Sequence, residues 1–270
     1  MNKKQRTIRG FTLIELLVAI AILVIVLSFA GVIFRVSIES HRTAIANAEI
    51  MQKLRAITDQ LNADFKGLID TKGNKASFGS EQSKIDGQPV DVNSDRITFF
   101  ADGDFQSTWQ YPQKDGKIKT VVGNVAAIFY GLIDPNSYGS VPEPKEKILA
   151  RRQTILTADP DLLNSGSLLG EYYQLSLSEW IADPSYNPDE LMVRPVFNLN
   201  GLSKENLAVY MAKGVDNFTI EYAERDVAGI RWTREQKDFV PKAFKFTFTL
   251  YDSKGVIKNG RTFTHIVYLD

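Results

Sequence analysis

The sequence predicts an α+β protein, with one long N-terminal hydrophobic helix packed on an antiparallel β-sheet head. Three observations predict it. Residues 11–34 are almost wholly apolar. Residues 35–66 contain no proline or glycine and carry an apolar stripe at helical spacing. Residues 75–270 hold short, alternating, β-prone runs separated by turn residues.

Composition narrows the function classes. The 270 residues are 44% hydrophobic and 24% charged, an ordinary globular mix. Thirty-two basic residues balance 32 acidic ones, which excludes a strongly basic nucleic-acid coat. There are no cysteines, so a disulfide scaffold, a cysteine zinc site, an iron–sulfur cluster and a thiol nucleophile are excluded. Two histidines, His41 and His265, leave little material for a histidine metal site or a catalytic triad. The charge is unevenly spread: residues 1–10 carry Lys3, Lys4, Arg6 and Arg9 and no acid.

As a helix, residues 11–34 would be about 36 Å long at 1.5 Å per residue, enough to cross a hydrocarbon core of roughly 30 Å. The basic flank places the N-terminus in the cytoplasm and the rest of the chain on the far side. Glu15 is the one ionisable group in the run. An ordinary signal peptide would explain the basic flank, and Ser28 and Ala30 offer a small-residue cleavage site before Gly31. An acid near the start of the apolar run does not suit that reading. A plain anchor would carry Glu15 at a cost of roughly 2.5–3.5 kcal/mol at bilayer mid-depth.

A third reading gives every residue a role. Gly10-Phe11-Thr12-Leu13-Ile14-Glu15 resembles the prepilin peptidase signature of type IV pilins and type II secretion pseudopilins. The resemblance implies that residues 1–10 are a leader, cut between Gly10 and Phe11 on the cytoplasmic side. Phe11 then becomes the N-methylated terminus, and the apolar helix is retained. It also implies that Glu15 docks the subunit by pairing with a neighbouring subunit's terminal amine. On a continuous helix, Glu15 would share a face with Phe11, one turn away. A free α-amine has a reference pKa of about 8 and is mostly charged near neutral pH. Glu15 could therefore neutralise its own amine or a neighbour's. Many major pilins carry a proline along this helix. This segment has none, and Gly31 is its only soft spot.

The helix is predicted to continue past the membrane. Ile50, Leu54, Ile57, Leu61, Phe65 and Leu68 form a stripe that faces a head domain, and Gly67 followed by Lys72-Gly73-Asn74 supplies the stop. One helix from Phe11 to near Lys66 would measure on the order of 84 Å. Mixed charges on its polar side argue against a basic membrane-surface helix. His41, beside Arg42, reads as a solvated helical histidine.

In the head, residues 96–100 and 106–111 read as short strands around a turn at Asp102-Gly103-Asp104. Residues 124–132, 148–156 and 218–222 are further strand candidates. Phe244, Phe246, Phe248 and Leu250 alternate on one face, and residues 262–269 return as a partner strand. Prolines 135, 142, 144, 160, 184, 188 and 195 mark residues 134–198 as a loop insertion. The organisation expected is thus a leader (1–10), a transmembrane or filament-core helix (11–34), an amphipathic continuation (35–69) and a β-rich head (70–270).

Within the head, Asn124-Val125, Phe129-Tyr130, Leu149-Ala150-Arg151-Arg152, residues 214–222, Trp232, residues 240–246 and Arg261-Thr262-Phe263 follow in an order similar to J-type minor pseudopilins and W-type minor pilins. That resemblance implies a minor subunit, either at the tip of a type II secretion pseudopilus in assembly initiation or priming a type IV pilus. The implied partners are other pilins or pseudopilins, the prepilin peptidase and an inner-membrane assembly platform. The implied location is the inner membrane, with the N-terminus in the cytoplasm and the head in the periplasm, and then a periplasmic filament. A membrane-anchored binding module is the alternative from another class.

Candidate chemistry in the head is thin. Asp91, Asn93, Asp95 and Asp102 fall at EF-hand positions, but the sixth position, which needs glycine, holds Arg96. Asp183, Asn187, Asp189 and Glu190 form a second oxygen-rich group. Both groups read first as turn-forming residues. Arg151-Arg152 reads as a solvated strand edge. His265 reads as a partly buried structural histidine on the side of Phe263 and Val267, and no GxSxG motif accompanies it. The sequence therefore predicts no catalytic residue, no metal site, no cofactor and no nucleic-acid partner.

Overall fold

The computed structural model describes residues 11–69, 94–133, 143–164, 166–182, 191–197, 204–226, 229–234 and 241–269. Helix α1 (Leu13–Lys66) is one uninterrupted rod of 54 residues. Thr12 caps its start in an extended conformation, and the Gly67 amide closes its end on the carbonyls of Asp64 and Phe65. Gly67 is required by a close approach: a Cβ there would lie 1.9 Å from the Asp102 carbonyl oxygen. The Asp102 amide in turn donates to the Gly67 carbonyl, tying the helix end to the sheet.

Two sheets follow. The first runs β1 (Arg96–Pro112), β2 (Ile118–Leu132), β3 (Ile148–Leu156) and β4 (Tyr172–Tyr173), with β5 (Tyr210–Lys213) also paired to β3. The second has the order β7 (Gly229–Thr233), β6 (Val215–Asp226), β8 (Ala243–Leu250), β9 (Arg261–Tyr268). Every pairing is antiparallel except the short β3–β4 contact. Among the described residues two short helices, α2 (Leu177–Ala182) and α3 (Lys204–Val209), lie between β4 and β5 in sequence. A long apolar helix followed by antiparallel sheets is the pilin-like α+β arrangement anticipated above.

The core sits where α1 meets both sheets. Ile50, Ile57, Leu61 and Phe65 are buried with Ile97, Phe99 and Ala101 of the first sheet and with Phe218, Phe244, Phe246 and Phe248 of the second. Phe65 is the hub. Its ring centroid lies 4.2 Å from Phe99, 4.9 Å from Phe244 and 5.4 Å from Phe246. Polar contacts fix the helix further up. Lys53 donates to the Tyr251 carbonyl at 2.8 Å, and the Glu49 carboxylate accepts from the Ser253 amide and hydroxyl at 2.9 and 3.0 Å.

Two expectations require correction. Asp102-Gly103-Asp104 is not a turn. The first strand runs straight through it, because an irregularity between Asp102 and Phe105 absorbs one extra residue against Val125 and Gly123. The hairpin turn comes later, at Gly116 with φ +79°, where Asp115 accepts from the Lys117 amide. Nor is Arg151-Arg152 a solvated edge. β3 is covered on both faces, so its sequence shows no clean alternation.

Candidate functional site

Among the described residues, the first half of α1 packs on nothing. Leu16, Leu17, Ile20, Leu23, Val24 and Leu27 are all exposed, as are their apolar neighbours. Among the described residues α1 is the one helix long and apolar enough to cross a membrane, and its most apolar stretch has no buried residue. An isolated apolar surface of this extent far exceeds the few hundred Å² that a soluble monomer tolerates. It needs hydrocarbon or other helices around it. The same rod continues without a break into the head's core, so whatever holds the apolar end positions the head.

At the helix start, Thr12 and Glu15 form a reciprocal cap. The Glu15 amide donates to Thr12 Oγ1 at 3.3 Å. Glu15 Oε2 accepts from the Thr12 amide at 2.9 Å and from its hydroxyl at 2.8 Å. This is the capping box, which satisfies otherwise orphaned amides at a helix N-terminus. The spacing Thr-x-x-Glu was present in the sequence, and reading Glu15 only as an amine partner missed it. Phe11 precedes the cap and is 88% exposed. It does not share a helical face with Glu15, because Thr12 leaves the helical conformation and α1 begins at Leu13. Gly10 lies outside the described residues. Both bonds from Thr12 go to Oε2, so neither occupies Oε1.

The head contains a buried polar joint. Asp64 of α1 is only 4% exposed. Its carboxylate takes a two-pronged contact from Arg151, at 2.6 Å from Nε and 2.7 Å from Nη2. The Tyr130 hydroxyl also donates to it, and Gln60 donates at 3.0 Å. Burial alone would pull the Arg151 guanidinium down, but the Asp64 carboxylate overrides this and holds it above its ordinary value. Burial, reinforced by the Asp64 charge, pushes the Tyr130 phenol well above its usual range. Arg152 points to the opposite face, over the Phe129 ring at 5.1 Å. It donates to the carbonyls of Leu191 and Val193 at 2.8 and 3.2 Å. Burial alone lowers it to about 10.

The remaining sequence candidates do not converge. Asp95 is fully buried and accepts from the Ile220 amide at 2.7 Å and from Arg234 at 2.8 Å. Burial raises it despite those contacts. Asp102 sits in β1 and is tied by its amide to the end of α1. The strand geometry rules out a calcium loop through these two residues. Asp91, Asn93, Asp183, Asn187, Asp189 and Glu190 lie outside the described residues. Among the described residues, no three His, Asp or Glu side chains are grouped so as to hold a metal ion. His41 is exposed, whereas His265 is half-buried and hydrogen-bonded to Asn62 Oδ1 at 2.9 Å. Burial pushes the His265 pKa down.

Comparison with known families adds one finding. Residues 5–31 match the family described as the prokaryotic N-terminal methylation motif, a type IV pilin-like signal. The match contains Gly10, Phe11 and Glu15 and ends inside α1. No curated protein and no solved structure matches the chain. The motif and the bare apolar helix are the two features of the chain that a membrane-anchored, pilin-like protein would carry.

Proposed function

We propose that this chain is a minor pilin-type subunit that acts by assembling rather than by catalysing. Its place is the tip of a type II secretion pseudopilus, where it helps initiate assembly. The observation that carries the reading is the methylation motif lying on a helix that is bare at one end and core-packed at the other. The prepilin peptidase cuts between Gly10 and Phe11, and the new Phe11 amine is methylated and keeps its charge. The helix stays in the inner membrane with the head in the periplasm. An assembly platform then extracts it into a filament.

Glu15 supplies the register. A carboxylate at bilayer mid-depth costs roughly 2.5–3.5 kcal/mol, and one in the first turn of α1, near the membrane edge, costs less. Pairing with the terminal amine of a neighbouring pilin offsets that cost and fixes the axial position of the incoming subunit. The capping box leaves Oε1 outside its two bonds, so the carboxylate can hold its own helix start and meet the neighbour together. The minor pseudopilin assignment is further supported by the head. The patterns at residues 124–130, 149–152, 214–222, 240–246 (described from 241) and 261–263 fall on or beside β2, β3, β6, β8 and β9 in that order.

A photo-crosslinking side chain at Val24, exposed on the bare helix, tests the reading in native membranes. The expected product is an adduct with a second protein that carries its own N-terminal methylation motif. Adducts with lipid alone would contradict assembly through this helix.

A further inference from the structure

The outer edge of β3 is interrupted. Residues 148–150 pair with β5, and residues 155–156 pair with β4. Between them, residues 151–154 have no strand partner on that side among the described residues. The Ile155 amide points outward to the Glu171 carbonyl. By the alternation of an antiparallel strand, the main-chain groups of Gln153 and Arg151 point the same way. The gap is about 13 Å long at 3.3 Å per residue.

A cleft of about 770 Å³ lies over this gap, a size typical of ligand sites. It is lined by Trp109, Glu171, Arg151, Gln153, Val196 and Val209, among others. Three arginines line it beside the Glu171 carboxylate: Arg151, which is already paired with Asp64, Arg194, which donates to the Ser94 carbonyl at 2.8 Å, and Arg152. The Glu171 carboxylate is engaged by the amides of Thr108 and Trp109 and by the Tyr111 hydroxyl. Arg152 is 5% exposed and has no carboxylate partner among the described residues. At neutral pH it remains a charged guanidinium, because even after burial its pKa stays near 10. A buried charge held only by carbonyl oxygens and a ring face is an incomplete arrangement, and an incoming anion completes it.

We propose that this cleft receives an extended segment of a partner protein, which pairs with the 151–154 edge of β3 and sets an acidic side chain against Arg152. Strand addition supplies main-chain hydrogen bonds, and Arg152 selects the residue that faces it. The open edge favours a peptide over a free anion, since an anion alone would leave the strand gap unfilled. The cleft lies in the head, so its occupancy is independent of docking through α1.

The test uses the full chain in detergent. The probes are capped octapeptides of alternating threonine and valine with one glutamate at each position in turn, and their glutamine counterparts. At least one glutamate peptide should bind at least about thirtyfold more tightly than its glutamine twin, the loss expected when one partner of a buried charge pair is removed. Arg152→Gln should abolish that preference. Val196→Trp, at an exposed lining position, should block binding while leaving the fold intact. Bound peptide should slow hydrogen exchange at the Arg151 and Gln153 amides. The proposal is overturned if no glutamate peptide binds below about 1 mM, or if glutamate and glutamine peptides bind alike. It is also overturned if inorganic phosphate binds and no peptide protects those amides, which would make the cleft a small-anion pocket.

Discussion

Replacing Glu15 with leucine will leave the protein in the membrane and remove it from filaments. Leucine is among the better helix formers and restores an unbroken apolar run, so insertion of α1 becomes easier. The Thr12 side chain can still cap the helix start, because its bond from the residue-15 amide does not use the carboxylate. What is lost is the negative charge available to a neighbour's terminal amine. Membrane fractions should therefore hold as much Glu15→Leu protein as wild type. Sheared filament fractions, and the Val24 adduct, should fall about tenfold or more, the effect of losing roughly 1.4 kcal/mol or more of docking energy. Wild-type incorporation of Glu15→Leu would mean that the carboxylate serves only its own helix cap. Glu15→Gln separates the two roles further, since it keeps a hydrogen-bonding side chain in the box and removes the charge.

Asp64→Ala will destabilise the head by about 3–5 kcal/mol, the range for removing one partner of a buried ion pair. The variant strands the Arg151 guanidinium in a mostly buried position and removes the acceptor of Tyr130 and Gln60. Against a total stability of about 5–15 kcal/mol, this is a large share. Denaturant titration of the chain in detergent, followed by tryptophan fluorescence, measures it. The double variant Asp64→Leu with Arg151→Met should recover most of the loss, because an apolar pair of similar volume avoids the desolvation cost. A loss below about 1 kcal/mol in the single variant would place the pair among exposed ion pairs and contradict the joint between helix and sheet.

The parts of this protein that were legible in the sequence are those set by local periodicity. The stripe from Ile50 to Phe65 repeats at three and four residues, and it is buried against both sheets. The alternation of Phe244, Phe246 and Phe248 survives intact in β8. The methylation motif is likewise a local pattern. What was not legible depends on distant partners. Arg151 looks solvated until Asp64, 87 residues earlier, is placed beside it. Arg152 looks solvated until the carbonyls of Leu191 and Val193 close over it. Asp95 resembles a metal ligand until the Ile220 amide, 125 residues later, takes its carboxylate. The Asp-Gly-Asp stretch in β1 carries turn chemistry that the sheet overrides with a bulge. The capping box differs from these: Thr12 and Glu15 were visible together, and attention to the amine obscured a simpler local role.

The central claim is that the chain is cut before its apolar helix and keeps that helix. N-terminal sequencing with intact mass, on protein taken from its native membrane, tests it most directly. The account predicts a chain that starts at N-methylated Phe11 and contains all of α1. A chain that starts at Gly31, or one that still carries residues 1–10 in its mature form, would contradict it.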